Sequence, residues 1–239
     1  MIVYLMRWSN QACPSLGLYC KSFLIKFWIP AYFPSWCLDE HNIIHINQIG
    51  FRKGYRTSDH VFVLKSLIDL YTKNDKKVYA CFVDFQKAYD TIWRNGLFHK
   101  LMKYAFSQKI IFLLKSMYDR VVSAVKVKSG LTASFTHLVG VRRGCNLSPT
   151  LLNQLNIFVN DIVDIFDSTC DPLIMGECKI NCLLNADDLI LLSKSEHGLQ
   201  RWIDKLSWYA KKWQMRINIK KTNLLFSIKV VKYLEVNSS

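Results

Sequence analysis

Residues 182–192 read CLLNADDLILL, from Cys182 to Leu192, with two adjacent aspartates, Asp187 and Asp188, between two apolar runs. Each run is of strand length, and Asn185 just ahead of the acids is a turn former. The pattern predicts a tight hairpin carrying two carboxylates at its tip. A solvated Asp-Asp turn is the ordinary reading, since turns favour Asp on backbone grounds alone. The alternative is a cation site, because hard divalent ions such as Mg²⁺ are what clustered carboxylates bind. The choice rests on whether another acid reaches the same place.

One candidate lies far upstream. VYACFVDF, 78–85, is apolar, β-branched and aromatic, the composition of a strand buried on both faces at the centre of a sheet. Asp84 stands near its C-terminal end, a costly position for a charge unless it is paired or bound to metal. Both strands are apolar enough to lie centrally in one sheet, and both present acids where they end. Carboxylates so gathered could share a pair of cations of the kind that clamps the attacking and leaving oxygens of a phosphoryl displacement.

The rest of the chain supplies helices and further hairpins. A helix is expected from Thr57 or Ser58, either a fair N-cap, to Tyr71, with Val61, Leu64, Leu67 or Ile68, and Tyr71 on its buried stripe. Two more are expected over 96–105 and 108–119, then a β-hairpin about Ser129-Gly130 within 121–140. Ser148-Pro149 reads as a cap and first-turn proline opening a long helix whose stripe is Leu152, Leu155, Val159, Ile162 and Phe166. The acidic hairpin spans 179–193. Ser193 and Glu196 form a capping-box pattern ahead of a helix packed through Leu199, Trp202, Leu206 and Trp213, and RINI and LLFSI close as short strands. Helices interposed among hairpins indicate an α+β fold with a mostly antiparallel sheet. Residues 1–37 are left unassigned, 38–228 form the domain, and 229–239 a tail.

Composition narrows the partners. Lys and Arg outnumber Asp and Glu by 32 to 18 in 239 residues, a net charge of +14, which points to a polyanion such as nucleic acid. With 51% hydrophobic residues the chain can fill a core. Eight cysteines show no CxxC spacing and several sit in apolar runs, so neither a zinc site nor a disulfide framework is expected, and an intracellular, reducing setting is. No apolar run has the length of a membrane span, so no membrane partner is expected.

Six segments resemble those of a known family, in the same order. FVDFQKAYD (82–90), GVRRGCNLSP (140–149), NADD (185–188) and INIKKT (217–222) look like successive palm motifs of reverse transcriptases, most closely those of non-long-terminal-repeat (LINE-type) retrotransposons. QIGFRKGYRTSD (48–59) resembles the family's fingers-to-palm segment, and 195–213 its helix after the catalytic hairpin. The resemblance implies a right-hand polymerase palm with partial fingers and most of the thumb absent. It implies RNA-directed DNA synthesis on an RNA template and DNA primer with deoxynucleoside triphosphates. Two Mg²⁺ ions, or Mn²⁺ in their place, would be held by Asp84, Asp187 and Asp188. Phe85 would flank the incoming nucleotide through its backbone, and Tyr89 would be a bulky gate against a ribose 2′-hydroxyl. Gly144, Ser148 and Pro149 would form the turn beneath the templating base, and Lys221 would protonate the leaving pyrophosphate. Lys100, Lys103, Lys109, Lys115, Lys211 and Lys212 are candidates for phosphate contacts.

Departures from the family fall near the same positions. Asn185 stands where the family carries Tyr, a ring that supports the primer end, and Arg143 stands where it carries Gln, near the incoming nucleotide. No counterpart of the upstream fingers segment with its Arg-Pro-Ile run is evident. These departures leave a second reading, an impaired relic of the element that at most binds nucleic acid.

Overall fold

The computed structural model describes residues 2–5, 43–119, 122–128, 130–141, 155–166 and 171–226. In chain order these form β1 (Ile2–Leu5), α1 (Thr57–Lys73), β2 (Tyr79–Val83), α2 (Ala88–Thr91), α3 (Arg94–Lys103), α4 (Gln108–Tyr118), β3 (Val122–Val127), β4 (Gly130–Leu131) and β5 (Phe135–Thr136). Then come helical residues 155–160, a 3₁₀ turn at Val163–Ile165, β6 (Leu173–Met175), β7 (Cys178–Ile180), β8 (Cys182–Asn185), β9 (Asp188–Ser193), α5 (Glu196–Lys212) and β10 (Asn223–Phe226). The contacts divide into two compact units. One comprises 1–43 with 89–158, the other 44–88 with 159–239.

The second unit holds an antiparallel sheet in the order β10-β2-β9-β8. The apolar run at 78–85 is central, as its composition predicts: Ala80 is paired with Leu192 and Val83 with Leu189. Period-two alternation gives β2 and β9 two buried faces. Ala80, Leu183 and Leu192 pack with Leu67 and Tyr71 of α1. The alternate set of Cys81, Val83, Leu189 and Leu191 is buried as well. The last helix packs on β9 and β2, its Trp202 indole donating to the Leu192 carbonyl at 3.1 Å and meeting Phe166 edge-on at 5.0 Å. Trp202 is 0% exposed, the plain core role its helical spacing suggests. Burial pushes the Cys81 thiol up to about 11 and that of Cys182 to about 12, so both act as small hydrophobes rather than nucleophiles.

Several local expectations shift. The first helix is preceded not by a Thr57 or Ser58 cap but by Arg56, whose N–H donates to the Asp59 carboxylate at 2.8 Å. Val61, expected on its buried stripe, is 61% exposed. Ser193 does not cap the last helix. It is buried at the end of β9, its hydroxyl donating to the Asp171 carbonyl, and Ser195 caps instead by accepting from Gly198 N at 2.9 Å. The long helix expected through Phe166 stops at residue 160. Asn160 accepts from His45 N and Asp161 from the Tyr209 hydroxyl, and such side chains are poor helix interiors when they have partners elsewhere. Leu155, Val159, Ile162 and Phe166 are nonetheless all buried. Of the closing strands, β10 forms as expected, while RINI contributes only a bridge between Ile217 and Phe85.

The first unit carries β3, with which β1, β4 and β5 pair. The expected hairpin forms, but Val127 pairs with Gly130, so Gly130 lies in β4 rather than in the turn. Arg94 ties this unit together by donating to four carbonyls, those of Tyr118, His137, Val139 and Gly140. Lys100, a candidate phosphate contact by sequence, is instead 0% exposed; its ammonium donates to the Phe158 carbonyl, and burying that charge requires such a partner.

Candidate active site

Register brings the three acids to one end of the second unit's sheet. The last β2–β9 pair is Val83 with Leu189, so one step further sets Asp84 level with Asp188. On the other side, β8 and β9 close with Asn185 opposite Asp188, leaving Ala186 and Asp187 as a two-residue loop. Asp188 is raised above the usual carboxylate range first by burial, then by the charges of Asp187 and Asp84.

Asp84 is fixed directly. Its Oδ2 accepts from Asn218 Nδ2 at 2.8 Å, its backbone carbonyl accepts from Asn218 N, also at 2.8 Å, and its N–H donates to the Thr222 hydroxyl at 3.4 Å. Gln86 N donates to the Arg216 carbonyl at 2.7 Å, and with the Asn218–Asp84 backbone bond this forms an isolated antiparallel bridge between Phe85 and Ile217. Phe85 itself is buried, its ring in the core, and the bonds of its bridge to Ile217 run through its neighbours, Gln86 N and the Asp84 carbonyl.

The hairpin tip is held differently. Ala186 has φ 58°, in the left-handed region, which costs a residue with a Cβ about 1–2 kcal/mol and persists only where neighbours enforce it. The enforcing neighbour is Gln48, fully buried: its Oε1 accepts from Ala186 N at 2.8 Å and its Nε2 donates to the Ala186 carbonyl at 3.1 Å. Gly50 approaches so closely that a methyl there would fall within 3.0 Å of Ala186 N, Cα and Cβ. Among the described residues, no hydrogen bond engages the carboxylate of Asp187 or Asp188.

A cavity of about 480 Å³ opens beside the acids, lined among others by Asp84, Asn185, Asp188, Lys221, His60 and Val61. Lys221 is exposed on its wall. Of the positions singled out by sequence, Asp84, Phe85, Asn185, Asp187, Asp188 and Lys221 belong to this unit. Tyr89 belongs to the other, where it is buried and its carbonyl accepts from Val141 N at 2.7 Å. Arg143, Gly144, Ser148 and Pro149 lie outside the described residues. Sequence reasoning missed Asn218, Thr222 and Gln48. Gly50, two residues after a loop amide, was the available hint of a close approach.

No group of three or more His, Cys, Asp or Glu among the described residues forms a ready ligand cage. That arrangement still suits Mg²⁺, which takes one or two carboxylates and completes its octahedron with water and substrate phosphate rather than with an all-protein shell. The donors are hard oxygens, and their mutual repulsion favours a cation between them.

Residues 35–237 match the family described as reverse transcriptase (RNA-dependent DNA polymerase). The chain is 30% identical over 203 residues to the probable RNA-directed DNA polymerase from transposon BS of Drosophila melanogaster, covering 81% of this chain and 21% of that protein. It is 31% identical over 195 residues to the RNA-directed DNA polymerase from mobile element jockey of Drosophila funebris, covering 75% and 20%. The chain thus spans about a fifth of the length of these relatives. Telomerase from Candida tropicalis, solved in complex with a TWJ fragment of telomeric RNA, superposes with a TM-score of 0.65 at 18% identity, over 94% of this chain and 37% of that one. Telomerase from Candida albicans gives 0.63 at 16%, over 90% and 36%. At such identities the likeness is one of fold.

Proposed function

The chain belongs to the reverse transcriptase (RNA-dependent DNA polymerase) family, and from that premise we propose that it extends a DNA primer on an RNA template with deoxynucleoside triphosphates. The observation that carries the reading is the placement of Asp84, at the end of a central strand, level with the paired acids of the β8–β9 turn. In this reading the primer 3′-oxygen attacks the α-phosphorus, the bond to the bridging oxygen breaks, and pyrophosphate departs. Asp84 and Asp187 would hold divalent cations, with Asp188 beside them. Mg²⁺ or Mn²⁺ bound there supplies charge neutralisation for the oxygens of the in-line displacement.

The remaining work falls to the chain's own groups. Asn218 aims the Asp84 carboxylate. Lys221 would give a proton to the leaving pyrophosphate oxygen, relieving the charge that develops there, and its position on the wall of the cavity that Asp84 and Asp188 also line supports that role. Phe85 flanks the nucleotide by its backbone, and Tyr89 is the gate against a 2′-hydroxyl, the one group that separates the two nucleotide classes. Arg143 and Gly144 are assigned to the nucleotide, Ser148 and Pro149 to the template. Exposed Lys103, Lys109, Lys115, Lys211 and Lys212 offer phosphate contacts whose signature is steep salt dependence.

Asn185 favours a second reading, a duplex-binding relic without polymerisation, because an amide gives the primer end less support than a ring. Primer extension with Mg²⁺ separates the two. The wild-type chain is expected to extend the primer and Asp84→Ala to do so at no measurable rate. Equal behaviour of the two proteins, with salt-sensitive duplex binding kept by both, would overturn the polymerase reading.

A further inference from the structure

Gln48, first residue of the 48–59 segment, has been given no chemical role, yet it is 0% exposed and both ends of its amide engage the acid-bearing turn. The backbone prepares this. Residues 47–49 run alongside β8 in a short parallel bridge, Leu184 N donating to the Asn47 carbonyl and Ile49 N to the Leu184 carbonyl, each at 2.9 Å. That register carries the Gln48 side chain to the far side of Asn185. There Oε1 accepts from Ala186 N at 2.8 Å and from Gly50 N at 2.9 Å, while Nε2 donates to the Ala186 carbonyl at 3.1 Å. Two donors converge on the oxygen and an acceptor faces the nitrogen, so the amide has one usable orientation. The Gln48 carbonyl is in turn held by Arg52 Nη1 at 3.0 Å. Gly50 closes the arrangement, because any side chain there would strike Ala186.

The consequence lies in what Ala186 separates. Asn185 and Asp188 end the paired strands, and Asp187 follows Ala186, the residue of this turn whose backbone is in the left-handed region. An alanine left to itself abandons that region, and the Asp187 carboxylate would swing with it. The carboxylates of this turn have no hydrogen bonds of their own among the described residues, so their direction is set through the Ala186 peptide groups that Gln48 grips.

We propose that Gln48, seated by Gly50, is a positioning residue that holds the Asp187–Asp188 turn in the conformation required to receive a divalent cation. The inference rests on the metal-site reading above. Outer partners of ligands typically alter metal affinity by about 10–100-fold when removed, and Gln48→Met, close in shape but without the amide, is expected to weaken Mn²⁺ binding by a factor in that range. Titration of the full chain with Mn²⁺ alone, read by electron paramagnetic resonance, measures this. Asp84→Asn and Asp187→Asn serve as references that should lose the tight site. Hydrogen exchange provides the readout independent of metal. In the metal-free wild type the Ala186 amide should be protected, although it sits at a hairpin tip. In Gln48→Met it should exchange faster while the amides of Leu189 and Leu191 keep their protection.

Mn²⁺ affinity unchanged in Gln48→Met would overturn the proposal, as would a wild-type Ala186 amide that exchanges like an open turn, a measurement that needs no variant. Loss of protection throughout β9 would make Gln48 a core residue and overturn it too. If instead wild type, Asp84→Asn and Asp187→Asn bind Mn²⁺ alike, the metal-site reading fails, and Ala186 protection still decides whether the clamp exists.

Discussion

Asp84 and the Asp187–Asp188 pair meet at one end of the sheet, but they are secured on different principles. Asp84 ends a central strand, and its carboxylate oxygen is itself gripped by Asn218. The paired acids, one in the two-residue loop and one at the first position of β9, adjoin Ala186, whose N–H and carbonyl are gripped by Gln48, leaving the carboxylates unencumbered. A ligand fixed through its carboxylate has a set direction and one lone-pair site already committed. A ligand fixed through its backbone keeps all its oxygens for an incoming cation. The pairing of one rigid acid with two open ones is what a site needs if part of its coordination shell arrives with the substrate.

The largest test of that difference removes both supports. Asn218→Ala deletes a hydrogen bond to a charged group, worth about 1.5–3 kcal/mol, and is expected to cost Mn²⁺ affinity about 10–100-fold. The two supports share no partner, so their free energies should add. The double variant Asn218→Ala with Gln48→Met should then lose affinity by about 10²–10⁴-fold. A double variant no weaker than the worse single one, by the same resonance titration, would show that the supports act as one unit and erase the comparison.

A smaller effect, and of opposite sign, is expected at the hinge between the two regions. Asn185 pairs with Asp188 and lines the cavity beside Asp84. On the proposed polymerase reading, a ring there would support the primer end, and placement errors of even ~1 Å can cost on the order of 10²-fold. Asn185→Tyr should raise kcat/KM for single-nucleotide extension by up to about tenfold, within that limit, and leave Mn²⁺ affinity as it was. An increase in Mn²⁺ affinity would show that the residue acts on the acids rather than on the primer.

The two regions were unequally legible in the sequence. The hairpin and the central strand announced themselves, because a short apolar run is driven into the core while the acid at its end must stay at the edge of it. Their supports did not. Gln48 and Asn218 sit in irregular stretches where no periodicity acts, and an amide's partners far along the chain leave no local trace. The Ser193 cap failed for a related reason. The capping pattern is local, but the Asp171 carbonyl claims that hydroxyl from across the unit and hands the cap to Ser195. The helix expected through Phe166 kept its buried stripe and lost its hydrogen bonding, since burial follows residue type whereas the helix end at Asn160 and Asp161 depends on His45 and Tyr209. What sequence reads well here is which residues are apolar or acidic; what it reads poorly is which polar group answers which.

The smallest effect expected is a pH dependence confined to the Gln48 side. His45 opens the segment that carries Gln48, and its Nδ1 accepts from Asn47 N at 3.1 Å, a bond available only to an unprotonated nitrogen. Burial lowers the His45 pKa below its ordinary 6.5, with Asp164 pulling upward and Arg52 adding to the depression. A folded pKa below the unfolded one means that the stabilisation is present above about pH 6.5 and is lost as pH falls through the folded value. Acidification should therefore loosen residues 45–48, which begin the path to Ala186, without acting on the Asn218 side. Asp84 is reached through Asn218 and Thr222, and neither of them titrates. Scanning Tm of the metal-free chain from pH 7.5 to 5.5 should show a fall that is shallower in His45→Gln. Exchange at Ala186, corrected for its intrinsic pH dependence, should rise in the wild type over that range and stay flat in the variant. Parallel curves for the two proteins would mean that the clamp is indifferent to His45, and that the backbone pairing of residues 47–49 with Leu184 suffices to hold Gln48 in place.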